Sequence, residues 1–309
     1  MKKAVIVYHR VDYDGLFSCL IAKKRLEEDT EIGEIKLIGH NYSDPLPNLE
    51  SEDADYIILV DISFPPKYMK TLAEQTRSEV TWIDHHYSSL KNAEDHGYSG
   101  VFPGRQEVGK GAVELTWEYM YPGVSTPKII RMLSSYDVWN HDRFDWEGKI
   151  IPLQYALKAK YGVWLDGGLT EDFPKMITHD YNLDTELIEI GRVVQKYEYQ
   201  RLKSAVKSSA FPVLVGGKYS GICMLGNDFG STPFRSVAKE YQIFICMQVR
   251  NGKDGKPSYS ISMYQDEGNT PLNLAEYGAK YGFAGHPCAC GYNSPNPELF
   301  YQILEKREL

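Results

Sequence analysis

Three times within the first 86 residues, a short apolar run stops at side chains that bind divalent cations. AVIVY (4–8) leads into His9, Asp12 and Asp14, YIILV (56–60) into Asp61, and VTWI (80–83) into Asp84, His85 and His86. Runs of four or five Val, Ile and Leu residues, alternating with helical patterns, mark strands buried on both faces of a parallel sheet. In open sheets of that kind, ligands gather outside the carboxyl ends of the strands. Three such ends carrying carboxylates and imidazoles predict a mixed cluster of oxygen and nitrogen donors at one edge, a set that suits divalent metal.

The segments between these runs fit the same architecture. Asp14-Gly15 opens a helix with Leu16, Phe17, Leu20 and Ile21 at helical spacing. A strand is expected at 35–39, then a Pro- and acid-rich turn at 43–53. Pro65-Pro66 opens a helix to about Gln75, since proline is tolerated in a first turn. A loop rich in Gly, Asn and Ser is expected over 87–111, with helices at 111–121 and 126–137 leading to Asp137. Residues 184–207 read as a long amphipathic helix, with Leu187, Ile190, Val194 and Tyr197 on one face and a basic, solvated remainder. Strand-like runs follow at 211–215, 220–225, 243–250 and 258–264, with NGKDGK as a hairpin-type turn. A helix at 271–281 and a Gly-rich segment close the chain.

The chain is therefore expected to be α/β with two domains. Residues 1–183 would form a doubly wound, mainly parallel sheet carrying the metal ligands, and 184–207 a linker helix. Residues 208–309 would form a smaller C-terminal α/β domain with a mixed sheet, the active site lying in the cleft between the two. A length of 309 residues sits where two domains become usual. At 42% hydrophobic and 25% charged the composition is that of a soluble globular protein. No apolar run is long enough to span a bilayer, so no membrane association is expected. The net charge of −8 argues against binding long nucleic acid, which needs an extended basic face. Five scattered cysteines, an odd number, point to reduced thiols and a cytoplasmic setting.

Each constellation has an ordinary reading when taken alone. His9-Arg-Val-Asp12-Tyr-Asp14-Gly15 could be an acidic helix start beside a chance histidine, and Asp61 a turn or capping residue. The two histidines of Asp84-His85-His86 point in different directions, so one can ligate metal while the other faces substrate. Asp137 lies among Tyr136 and Trp139, where a half-buried carboxylate needs a partner.

Together, the HxxDxDG opening, an Asp after the next buried strand, the DHH triplet and a later Asp resemble the DHH superfamily of phosphoesterases. The resemblance extends to Gly282-Phe-Ala-Gly285-His286-Pro-Cys-Ala289-Cys-Gly291, which is similar to the GGGHxxAAG signature of the DHH-associated C-terminal domain. Phe283, Ala284, Cys288 and Cys290 depart from that signature. The preceding strand, Tyr-Ser-Ile-Ser-Met-Tyr, lacks the Arg of the family's VSLRS-like segment. The short N-terminus, HxxDxDG and DVWNHD look closest to the oligoribonuclease, cyclic-nucleotide phosphodiesterase and exopolyphosphatase-related branch.

The resemblance implies two divalent ions, Mn²⁺ first, with Mg²⁺ or Co²⁺ as alternatives. His9, Asp12 and Asp61 would hold one. Asp14, Asp61, His85 and Asp137 would hold the other, with Asp61 bridging. His86 would bind or protonate substrate, Asp84 would orient a neighbouring histidine as an acceptor behind it, and Gly285, His286 and Gly291 would contact the substrate. A zinc site at His286, Cys288 and Cys290 has only three ligands and lacks CxxC spacing, so an anion-binding Gly-rich turn is the preferred reading. The implied activity is two-metal hydrolysis of phosphodiester bonds in short oligonucleotides or (cyclic) nucleotides. The alternatives are an exopolyphosphatase or pyrophosphatase-like hydrolase, and a non-catalytic metal-supported nucleotide-binding protein. A homodimer is left open.

Overall fold

The computed structural model describes residues 1–42, 44–162, 165, 167–226, 231–252, 255–265 and 271–309, without the side chains of Arg235, Ala284 and His286. The chain divides into two compact units, Met1–Gln195 and Lys196–Leu309. The first unit runs β1 (Lys2–His9), α1 (Tyr13–Glu27), β2 (Ile32–His40), β3 (Tyr56–Val60), α2 (Pro66–Gln75), β4 (Glu79–Ile83), α3 (Tyr87–Asp95), α4 (Ala112–Met120), α5 (Lys128–Asp137), α6 (Ile151–Tyr161) and α7 (Gly167–Met176). Helix α8 (Glu189–Ser209) contains the division between the units.

Its four strands are all parallel, in the order β2-β1-β3-β4. Alternate residues of each strand feed opposite cores. Ile6, Tyr8, Ile58, Val60 and Ile83 pack with apolar residues of α1, α4, α5 and α6. Val5, Val7, Ile57, Leu59 and Trp82 pack with α2 and α3. Burial on both faces is why these strands read as unbroken apolar runs rather than alternating ones. The unit is doubly wound and parallel.

Two expectations need correction here. Residues 87–111 are not all loop, because α3 fills 87–95. Its buried positions are Ser89 and Ala93, so there is no apolar stripe for periodicity to detect. The supposed face of Leu187, Ile190, Val194 and Tyr197 is not one face: Leu187 is buried while Ile190 and Tyr197 are exposed. Gly191 sets the helix instead, since a Cβ there would stand 1.8 Å from the Pro152 carbonyl oxygen. Helices α6 and α7 fill part of the stretch between Asp137 and residue 184, to which no element is assigned from the sequence.

The second unit contains β5 (Ala210–Val215), β6 (Tyr219–Leu225), β7 (Ile243–Asn251), β8 (Pro257–Tyr264), α9 (Leu274–Ala279), β9 (Ala284–His286), β10 (Ala289–Ser294) and α10 (Glu298–Lys306). Its sheet has the order β5-β6-β7-β8-β10-β9 and is mixed, β6 and β7 being its parallel pair. The Gly-rich segment, expected as a turn, is largely the hairpin β9–β10, with Gly285 opposite Cys290. Among the described residues no helix is long and apolar enough to cross a membrane.

Candidate metal centre

Strand order reverses between β1 and β3: the chain leaves β1 for β2 on one side and returns to β3 on the other. A crevice opens at the carboxyl end of such a switch point, and His9 and Asp61 stand at the ends of those two strands. Asp12 caps α1, accepting the Gly15 N–H at 2.9 Å. Gly15 is required by close approach, since a Cβ would lie 2.0 Å from the His9 carbonyl oxygen. Asp14, in the first turn of α1, is buried and accepts the Ala112 and Val113 N–H groups at 2.6 and 3.0 Å. The N-terminus of α4 thus grips this carboxylate, as helix starts hold anions.

Asp61 takes a left-handed backbone (φ +57°) just past β3, a conformation Asp tolerates better than most residues, and its N–H donates to the Ile83 carbonyl at 2.9 Å. Asp84 is buried, and its Oδ1 accepts the N–H groups of His85 (2.8 Å) and His86 (3.1 Å). The same oxygen lies 2.7 Å from His86 Nδ1. Residues 103–105 run alongside β4, the Trp82 and Asp84 N–H groups donating to the carbonyls of Pro103 and Arg105. Asp137 is the last residue of α5.

These side chains converge. His9 Nδ1 is 2.8 Å from Asp12 Oδ2 and 3.6 Å from Asp61 Oδ2. His85 Nε2 is 3.1 Å from Asp137 Oδ2, 3.4 Å from Asp61 Oδ1 and 3.7 Å from Asp14 Oδ2. His86 Nδ1 is 3.8 Å from Asp61 Oδ1. Three groups each bring ligand atoms within 4.8 Å of one another: His9, Asp12 and Asp61; Asp14, His85 and Asp137; and Asp61, His85 and His86.

The charge balance of the cluster favours a cation. Burial, then the carboxylates of Asp137 and Asp61, push the Asp14 carboxyl far above its ordinary range. Burial also raises Asp61, although His85 and His9 oppose it. For the histidines burial works the other way and is overcome. Asp12 and Asp61 lift His9 to about 10, and Asp137 and Asp61 lift His85 to about 11. Asp61 Oδ1 is buried and makes no well-aligned hydrogen bond among the described residues, its neighbouring ring nitrogens being His85 Nε2 at 3.4 Å and His86 Nδ1 at 3.8 Å. Carboxylate and imidazole donors without thiolate suit a divalent ion.

Sequence reasoning missed the residues that hold Asp14. Gly111 caps α4, and a Cβ there would stand 2.6 Å from Asp14 Oδ1 and 2.9 Å from Ser134 Cα. The GKGA stretch (109–112) was its only visible signal. In the second unit, Gly285 is fixed by close approach, a Cβ falling 2.4 Å from the Ala289 carbonyl oxygen. Gly291 has room for one, with nothing nearer than the Ile261 carbonyl oxygen at 3.9 Å. The side chain of His286 lies outside the described residues. Cys288 and Cys290 join no metal-capable group among the described residues. Cys290 is buried, which pushes its thiol up to about 11.

No family model matches the chain, and no curated protein does. Solved structures do. A pGpG-specific phosphodiesterase, PggH from Vibrio cholerae, is 13% identical, with 99% of this chain covering 98% of that one at a TM-score of 0.52. The DHH domain of a member of the s1p family of ribosomal proteins is 14% identical, with 99% of this chain covering 85% of that one at a TM-score of 0.59. Likeness at this level of identity speaks for the backbone architecture rather than for activity. The chain has the fold of the DHH-domain proteins.

Proposed function

We propose that this chain is a metal-dependent phosphoesterase that hydrolyses phosphodiester bonds in short oligonucleotides or (cyclic) nucleotides, in a cytoplasmic setting. The observation that supports it most is that Asp61 stands between two donor sets at the switch point of the parallel sheet. His9, Asp12 and Asp61 would hold one divalent ion, and Asp14, Asp61, His85 and Asp137 a second, Mn²⁺ ahead of Mg²⁺ or Co²⁺. Such ions, when bound, polarise phosphoryl oxygens and lower the pKa of water. Two carboxylates pushed up by burial and by neighbouring carboxylates need that positive charge to ionise together.

His86 would act as proton donor to the leaving oxygen. Asp84 Oδ1 keeps a proton on Nδ1 and favours the imidazolium, leaving Nε2–H for the substrate. Gly285, His286 and Gly291 are assigned to substrate contact on the resemblance of their segment alone. The dinucleotide named for the Vibrio cholerae neighbour adds support for a short nucleotide substrate.

The test is hydrolysis in Mn²⁺ of pGpG, cyclic dinucleotides, 3′,5′-cAMP, adenosine 3′,5′-bisphosphate and tripolyphosphate, side by side. A nucleotide should turn over fastest, and Asp61→Ala should reduce its rate by at least roughly a hundredfold, beyond the usual effect of losing a ligand's supporting contact. Near-normal activity in that variant sinks the assignment. Phosphate release from tripolyphosphate alone makes the chain an exopolyphosphatase or pyrophosphatase-like enzyme. Mn²⁺ and nucleotide binding without turnover makes it a non-catalytic binding protein.

A further inference from the structure

A cavity of about 580 Å³ lies in the first unit, bordered by α4, α5 and residues 176–183, and none of the candidate metal ligands lines it. Its charged lining is Glu114, Glu118, Lys128, Arg131, Arg143 and His179. Both acids are already met. Arg143 donates to the two oxygens of Glu114 at 2.6 and 2.8 Å. Arg105 and Lys110 lie 2.8 and 3.1 Å from Glu118. Lys128 pairs with Asp184 at 3.0 Å.

Arg131 is the cation left over. Among the described residues it has no ion pair, and its Nε is buried without a hydrogen-bond partner. Its guanidinium carbon lies 5.9 Å from the centre of the Phe144 ring. That Nε is closed to any ligand in the cavity, so the donors Arg131 can offer the space it lines are its two terminal nitrogens. Donors stand around it: Ser125 and Thr126 line the cavity, Ser125 Oγ lying 3.1 Å from His179 Nε2.

We propose that this cavity binds a small organic phosphate monoester, with its phosphate on Arg131. A guanidinium presents a planar fork that matches phosphate oxygens in pairs, and hydroxyls supply donors for a third oxygen. The volume lies within the range of small-molecule sites, far beyond what one phosphate fills, so the occupant carries an organic part. Ile129, Met176 and Leu183 give that part an apolar wall. The helices that border the cavity are those that serve the metal centre: α4 holds Asp14 at its first turn, and α5 ends at Asp137. An occupant there would touch both.

The experiment is calorimetric titration of the full-length chain, saturated with Mn²⁺, with 5′-AMP, and with adenosine as control. Wild type should show a site that Asp61→Ala retains, that Arg131→Gln weakens about tenfold or more, and that adenosine does not fill. That loss is the size expected for a charge-assisted hydrogen-bonded pair. Melting temperatures of the two variants establish that both are folded. The inference fails if Arg131→Gln binds AMP as wild type does, if adenosine binds equally well, or if every AMP site disappears with Asp61→Ala. Because the two variants report on separate sites, a missing metal-site nucleotide and a missing cavity ligand give different titrations.

Discussion

Asp84 carries more of the centre than a spacing rule shows. One buried oxygen accepts from two successive backbone N–H groups and faces the Nδ1 of His86. It fixes the turn after β4 and the protonation of the imidazole together. Burial alone would lower the His86 pKa; the neighbouring Asp84 carboxylate, with a smaller contribution from Asp61, raises it instead. Asp84→Asn keeps an oxygen for the backbone donors and removes the charge. The protonated imidazole is then lost at lower pH, so the alkaline limb of the kcat profile should move toward acid. The rate at its optimum should fall by roughly ten- to a hundredfold, as for other orienting partners of a reacting group. A pH–rate profile of variant against wild type checks this, and an unmoved alkaline limb argues that His86 does not act as the acid.

At the scale of elements, α4 decides where Asp14 sits. Its first two N–H groups bind that carboxylate, and the absence of a side chain at Gly111 lets the helix approach it. Gly111→Ala would set a methyl 2.6 Å from Asp14 Oδ1 and 2.9 Å from Ser134 Cα, and backbone cannot retreat cheaply. Mn²⁺ affinity should drop about ten- to a hundredfold with the helical content unchanged, measured by calorimetry and circular dichroism. Equal affinity would show that Asp14 does not depend on this helix. The contact also marks how far the sequence can be read. Strands ending at His9, Asp61 and Asp84 were legible because short apolar runs leave few other folds. The grip of Ala112 on Asp14 spans 98 residues, and no local pattern encodes it. Helix α3 escaped because its buried positions are a serine and an alanine. The Gly-rich segment was legible as a motif but not as a hairpin, since its ladder depends on β8.

At the scale of the whole molecule, the chain holds two separately built interiors. Buried clusters around Phe17 and Trp82 belong to the first unit, and those around Phe283 and Phe234 to the second. All six candidate metal ligands fall within Met1–Gln195. A ligand that binds only the native state stabilises what it binds, by about 2.7 kcal/mol at a hundred times its dissociation constant. In a unit of this size each kcal/mol moves the midpoint by roughly 2–4 °C, so Mn²⁺ should raise one transition by about 5–10 °C. Scanning calorimetry should therefore resolve two transitions, with one moving on addition of Mn²⁺ and returning on chelation, and the other staying in place. Asp61→Ala should abolish the movement without merging the peaks. If no transition moves on addition of Mn²⁺, the ligand set assigned above is wrong.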